Sequence, residues 1–198
     1  MKGFLIGLAV LIVIVIIGVL VVVSGMNRVV GFDEQVKAAW AQVENQLQRR
    51  FDLIPNLVNT VKGVAAFEKE TYTAVTEARA KVGQIKITPE MLSNSENFKR
   101  FQAAQDELGG ALSRLLVAVE NYPQLKANEN FLQLQAQLEG TENRIAVERM
   151  RYNETARNFN YFIRSFPGSV WASLRGLSAQ KAYFEAAPSA KEAPRVAF

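Results

Sequence analysis

The sequence predicts an all-α protein, in which an N-terminal transmembrane helix is followed by an antiparallel up-and-down four-helix bundle of long helices. Three observations predict it. No side chain between Lys2 and Arg28 carries a formal charge, and the run FLIGLAVLIVIVIIGVLVVV inside that interval is almost wholly apolar. Beyond it, apolar residues recur at alternating steps of three and four, the signature of helices with one buried face. Prolines and small polar residues fall between those periodic stretches, with Pro55 as the exception.

The apolar run comes first. About 20 residues rising 1.5 Å each cross a hydrocarbon core of about 30 Å, so the run is long enough to span a bilayer. A cleaved signal peptide would use Lys2 as its basic end and Val23-Ser24-Gly25 as its small-residue site, but its apolar core is typically about 7 to 15 residues. Residues 1–26 therefore read as an uncleaved anchor. With no cysteine in the chain, a lipid-modified cysteine is excluded. Gly3 and Gly7 form a GxxxG at the frayed end of the span, where it carries little weight as a dimerisation face. Lys2 on one side and Arg28 with Lys37 on the other nearly balance, so basic residues do not orient the span.

Residues 27–168 carry the bundle. From 129 to 166 the seam is Phe131, Leu134, Leu138, Thr141, Ile145, Glu148, Tyr152, Thr155, Phe159, Phe162 and Phe166, stopped by Pro167-Gly168. From 95 to 122 it is Phe98, Phe101, Gln105, Leu108, Leu112, Leu115, Val119 and Tyr122, stopped by Pro123. The stretch KITPEMLSNSE reads as a connecting loop in which Ser93, Asn94 or Ser95 caps the next helix. Leu108, Leu112, Leu134, Leu138, Ile145 and Phe159 are expected to be buried together.

Residues 46–63 admit two readings. A seam runs without a phase slip from Trp40 through Val43, Leu47, Arg50, Ile54, Leu57 and Val61, which favours one helix kinked at Pro55. Against that, Arg49 and Arg50 suit a helix end, Asp52 suits a cap, and Pro55 suits a first turn. Burial favours the turn: Val36, Trp40, Val43 and Leu47 form a stripe that a straight rod would leave wet, and folding back covers it. The expected helices are then 27–50, 53–83, 95–122 and 128–166.

Two terminal segments follow. Residues 169–186 read as amphipathic, with Val170, Trp171, Leu174 and Leu177 on one helical side and Arg175 and Lys181 available to anionic headgroups. Trp171, Leu174, Arg175 and Leu177 are the candidate membrane-interface residues; packing on the bundle's own end is the alternative. Residues 187–198 are small, polar and proline-bearing, and read as a disordered tail.

Histidine and cysteine are both absent, which removes the Ser-His-Asp and Cys-His systems and the common zinc and haem sites. No catalytic, cofactor-binding or metal-ligating residue is therefore named, and no cofactor is expected. The 23 basic and 19 acidic residues are interspersed, so the net charge of +4 does not make a nucleic-acid surface. Candidate partner-binding residues are Arg49, Arg50 and Asp52, beside the proline-defined corner, and Glu148, a carboxylate on the apolar seam. Each has a structural alternative: helix-end charges for the first three, and pairing with Arg79, Arg144 or Arg151 for Glu148.

The stretches AWAQVENQLQRRFDLIPNLVNTVKG, EKETYTAVTEARA and ERMRYNETARNFNYFIRSFP, with YFEA near the end, resemble the LemA family of bacterial membrane proteins. The resemblance implies one N-terminal span in the bacterial inner membrane, a soluble four-helix bundle and no assigned activity. The expected function is a membrane-anchored scaffold or adaptor without catalysis of its own. Its expected partners are membrane lipid, an unidentified protein for which a membrane protease is one candidate, and further copies of itself. A carboxylate- or metal-dependent enzyme or enzyme subunit at the membrane is the alternative.

Overall fold

The computed structural model describes residues 2–64 and 68–185. Among these the protein is all-helical: α1 (Lys2–Lys62), α2 (Lys69–Gln84), α3 (Ser95–Val119), a short α4 (Pro123–Lys126), α5 (Glu129–Arg164) and α6 (Gly168–Leu174), with a 3₁₀ turn at Pro89–Ser93. The expected tail 187–198 lies outside the described residues. One helix, α1, is long and apolar enough to cross a membrane. Its residues 2–24 are exposed throughout, while Gly25, Val29, Val36 and Trp40 beyond them are buried.

The expected turn at residues 50–55 is absent. α1 runs through Pro55 as a single helix of 61 residues, and the chain reverses only beyond Gly63. The stripe of Val36, Trp40, Val43 and Leu47 is buried all the same, because the 36-residue α5 lies along α1 and covers it. Folding back at residue 51 was one way to cover that stripe; a long helix arriving from later in the chain does it without breaking α1.

Pairs across α1 and the C-terminal half show how they lie. Gly25 meets Trp171, Phe32 meets Phe162, Trp40 meets Tyr152 and Arg50 meets Glu142, so residue numbers rise on one side as they fall on the other. α3 brings Phe98 and Phe101 to Trp40 at its start and packs on α2.

The core is divided. One cluster, near the exposed end of α1, holds Val36, Trp40, Val43, Leu47, Phe98, Phe101, Ile145, Tyr152 and Phe159. The other holds Ile54, Leu57, Val61, Val75, Leu108, Leu112, Leu115, Phe131 and Leu138. Between them sit Arg50, Gln105 and Glu142, the first two at seam positions where an apolar side chain would have joined the halves. The six residues expected to be buried together therefore separate: Leu108, Leu112 and Leu138 belong to the second cluster with Leu134 half-buried against it, and Ile145 and Phe159 belong to the first.

Helix ends follow their local chemistry. Asn94 caps α3 by accepting from the Asn97 amide at 3.0 Å, and Asn128 caps α5 by accepting from Phe131 at 3.1 Å. The segment before Asn94 is less loop-like than its composition suggests, since Met91 and Leu92 in the 3₁₀ turn are buried. α5 ends at Arg164, leaving Phe166 exposed and outside the seam. The Phe166–Pro167 peptide bond is cis.

Candidate functional site

The residues that the sequence offers for partner binding are not brought together. Arg49 and Asp52 are exposed on α1, Asp52 accepting from Gln48 at 2.8 Å. Arg50, expected to face solvent beside them, is only 2% exposed. Its Nη1 donates to both carboxylate oxygens of Glu142 at 3.0 and 3.2 Å, and its Nη2 donates to Gln105, so one guanidinium joins α1, α3 and α5. The seam placed Arg50 on the buried face, and a continuous α1 keeps it there. Arg149 donates to Asp106 at 3.3 Å in the same layer; burial pulls its pKa down, the nearby Arg50 adds to that, and Asp106 opposes it. Glu148 is half-buried on α5 and accepts from Arg151 at 2.8 Å.

At the membrane end, Trp171 is half-buried and stacks on Phe162, which in turn meets Phe32. The indole lies against Gly25 so closely that a Cβ there would sit 2.3 Å from the ring. Trp171 closes a cleft of about 350 Å³ whose other walls are Ile17, Leu20, Val21, Ser24 and Arg28 of α1. Leu174 and Arg175 are exposed. Leu177 is off the helix, because α6 stops at Leu174 and Gly176 takes a φ of +67°, which turns the chain back onto the first core cluster.

The most elaborate polar geometry lies at the end of the segment read as amphipathic, Lys181 to Glu185, which is not helical and runs as a strap against α3 and α5. Three carboxamides grip its backbone at both edges. Asn160 donates to the Lys181 carbonyl and accepts from the Lys181 amide, both at 2.8 Å. Asn153 does the same to Phe184 at 2.9 Å each, and Gln102 to Glu185 at 2.7 and 3.1 Å. Between the clamps, Ala182 donates to the Leu92 carbonyl at 2.7 Å and accepts from the Tyr152 hydroxyl at 3.0 Å. Burial pushes the Tyr152 phenol pKa upward, so that hydroxyl stays a donor.

Two side chains of the strap are read individually. Phe184 enters a box of Trp40, Phe98 and Tyr152, with ring centroids 6.0, 4.8 and 5.5 Å away, and the Arg149 guanidinium lies 4.8 Å above it. Lys181 is 9% exposed; its Nζ pairs with Asp33 at 2.8 Å and lies over the Phe159 ring. Sequence reasoning missed this arrangement. Its signal is faint but present: Asn160 and Gln102 are buried amides among apolar positions of long helices.

On the other side, Glu44, Gln48, Phe51, Val82, Ile85 and Ile87 line an open groove of about 370 Å³. Burial raises the Glu44 carboxyl, and a hydrogen bond from the Trp40 side chain partly offsets that. Among the described residues, no three carboxylates gather closely enough to hold a metal ion.

The helical body and the strap coincide with a known family. Residues 39–198 match the model of the LemA family. The chain belongs to the LemA family. Similar proteins include Magnetosome protein MamQ 1 of Paramagnetospirillum magneticum and Magnetosome protein MamQ of Magnetospirillum gryphiswaldense, each 27% identical over 82% of this chain and 65% of the relative. Protein LemA of Metamycoplasma hominis is 25% identical over 74% of this chain and 63% of its own length. The chain thus matches just under two thirds of the length of these LemA-family relatives.

Proposed function

We propose that this LemA-family chain is a membrane-anchored helical scaffold that acts through protein contacts and catalyses no reaction of its own. Its soluble part is an antiparallel up-and-down four-helix bundle, fixed by a single span in a bacterial inner membrane. The observation that carries the reading is the continuity of α1, whose bare apolar end and buried polar-layer residues belong to one helix of 61 residues. A helix shared in this way transmits the position of the span directly to the body, as a scaffold requires and a flexible tether would not. The opposed numbering of the α1 and α5 pairs supports the antiparallel bundle. The relatives named as magnetosome and LemA proteins support a membrane-associated role of a non-enzymatic kind. Lipid, a protein partner such as a membrane protease, and further copies of the chain are the proposed contacts.

The test is crosslinking of the full-length protein in native membranes, followed by mild-detergent purification and mass spectrometry. A defined protein joined at reproducible lysines of α2 or α3, such as Lys69, Lys81 or Lys99, is expected. A stoichiometric bound metal, or turnover of a substrate that copurifies, would contradict the scaffold reading.

A further inference from the structure

The end of the body where the span enters carries two features that its core does not use. Phe166, Val170 and Leu174 are exposed large apolar side chains there. Arg28, Arg164 and Arg175 are exposed as well, and among the described residues they form no ion pair. The carboxylates next along α1 are already engaged, Asp33 by Lys37 and Lys181 and Glu34 by Lys37. Apolar surface beside uncompensated arginines, at the foot of a span, suits the level of anionic headgroups. We infer that the cleft between α1 and Trp171 is a binding site for one anionic phospholipid, with an acyl chain along Ile17, Leu20 and Val21 and the phosphate held by Arg28 and Ser24.

Ile17, Val21, Ser24 and Arg28 follow one another at steps of four, three and four, which puts them on one face of α1. The stripe is about 16 Å long, close to half of a hydrocarbon core of about 30 Å, so its apolar part lies at acyl-chain depth and its polar part at phosphate level. A guanidinium can donate two parallel hydrogen bonds to a phosphate, and the Ser24 hydroxyl stands one turn below it. Trp171 is the opposite wall, fixed by its stacking on Phe162 at 6.2 Å and by Gly25, where no Cβ fits. A tryptophan at this level is what a bilayer interface favours. The volume of about 350 Å³ suits a hydrocarbon chain and is small for a partner helix about 10 Å across. Among the described residues no carboxylate lines the cleft, so nothing in it competes with a phosphate for Arg28. The uncompensated arginines also disfavour a headgroup that brings its own cation, which selects phosphatidylglycerol over phosphatidylcholine.

This inference deepens the lipid contact of the anchored scaffold reading and rests on that reading, but the two fail separately. The test uses the full-length protein in phosphatidylcholine vesicles that contain a minor fraction of phosphatidylglycerol. Acyl-chain bromine, a quencher of indole fluorescence, is carried either by the phosphatidylglycerol or by an equal amount of the phosphatidylcholine. Of the two tryptophans, Trp40 is buried and lies about 22 Å farther along α1 than Gly25, so it gives a constant background. Quenching of Trp171 by brominated phosphatidylglycerol should exceed that by brominated phosphatidylcholine about fivefold, the enrichment that one arginine gives an anionic lipid. Arg28→Gln and the cleft-filling Val21→Phe should each bring the two lipids level. Arg28→Lys, which keeps the charge, and Arg175→Gln, outside the cleft, should retain the preference. Equal quenching in the unsubstituted protein would overturn the site and leave the anchor in place. A preference that survives both Arg28→Gln and Val21→Phe would also overturn it, reducing the preference to a diffuse basic surface. No quenching by either lipid would place Trp171 outside the bilayer and overturn the site, and protein that does not stay with the vesicles would overturn anchor and site together.

Discussion

Arg79 of α2 donates from Nε to the backbone carbonyl of Phe51 at 3.1 Å, and its guanidinium lies 3.7 Å over the Phe51 ring. That carbonyl is the one left without a helical donor by Pro55, four residues on, which has no N–H. A proline inside a helix costs about 3 kcal/mol, in part for the lost hydrogen bond. Arg79 restores that part from a neighbouring helix, and this is how α1 passes through Pro55 intact.

The repair can be measured by a double-mutant cycle. Arg79→Ala should destabilise the protein by about 1 to 2 kcal/mol, the value of a half-buried hydrogen bond plus the ring contact. In a Pro55→Ala background the helix supplies its own donor, so the same substitution should cost less. Urea unfolding of the four proteins in mild detergent measures the coupling; strictly additive losses would mean that Arg79 does not serve the Pro55 gap.

The polar layer gives a second expectation. Arg50→Ala removes a guanidinium that is 2% exposed and leaves Gln105 without its donor, so a loss of about 3 kcal/mol is expected. Glu142, whose side chain is 40% exposed, regains water when the pair is broken, so Glu142→Gln should cost about 1 kcal/mol. Equal losses from the two substitutions would contradict the asymmetric burial.

Asp33 supplies a pH dependence. Burial alone would raise its carboxyl, but hydrogen bonds and charge from Lys181 and Lys37 outweigh it and hold the group below its ordinary value of 3.8. A carboxylate depressed in the folded state contributes stability that is fully present above its unfolded value. That contribution is lost as pH falls from there through the lower folded value. Stability of the wild type should therefore drop below about pH 4 more steeply than that of Asp33→Asn. Parallel acid limbs in the two proteins would show that the Lys181 pair contributes nothing to stability.

At the membrane end, Gly25→Ala puts a methyl where the Trp171 ring lies. Alanine favours the helix by about 1 kcal/mol, but a 2.3 Å approach to a rigid indole forces the ring out. Emission from Trp171, isolated by Trp40→Phe, should shift to the red in Gly25→Ala. An unchanged spectrum would mean that Trp171 does not rest on Gly25.

The long helices were legible because their buried faces repeat over many turns: Phe98 to Val119 and Phe131 to Phe159 are apolar at seam after seam. The caps beside Asn94 were legible because capping is local. The path through Pro55 was not, since its compensating donor sits on another helix, at Arg79, 28 residues from the Phe51 carbonyl that it caps. The cover for the Trp40 stripe was likewise remote, supplied by α5. Residues 181–185 look amphipathic at helical spacing, yet their backbone is drawn straight by Asn153, Asn160 and Gln102, whose amides resemble ordinary helix polarity in a one-dimensional reading. Division of the core at Arg50 was visible as a polar residue on the seam, but its partners Gln105 and Glu142 became apparent only in three dimensions.

The continuity of α1 from span to bundle is tested most directly by one distance. Spin labels at Gln42 and Lys62, on the full-length chain in vesicles, bracket Pro55 across 20 residues of α1. A continuous helix places them about 30 Å apart, with a narrow distribution. A distance within about 15 Å, the separation of helices folded back on each other, would show that the chain reverses near residue 51 and that the span and the body do not share one rigid helix.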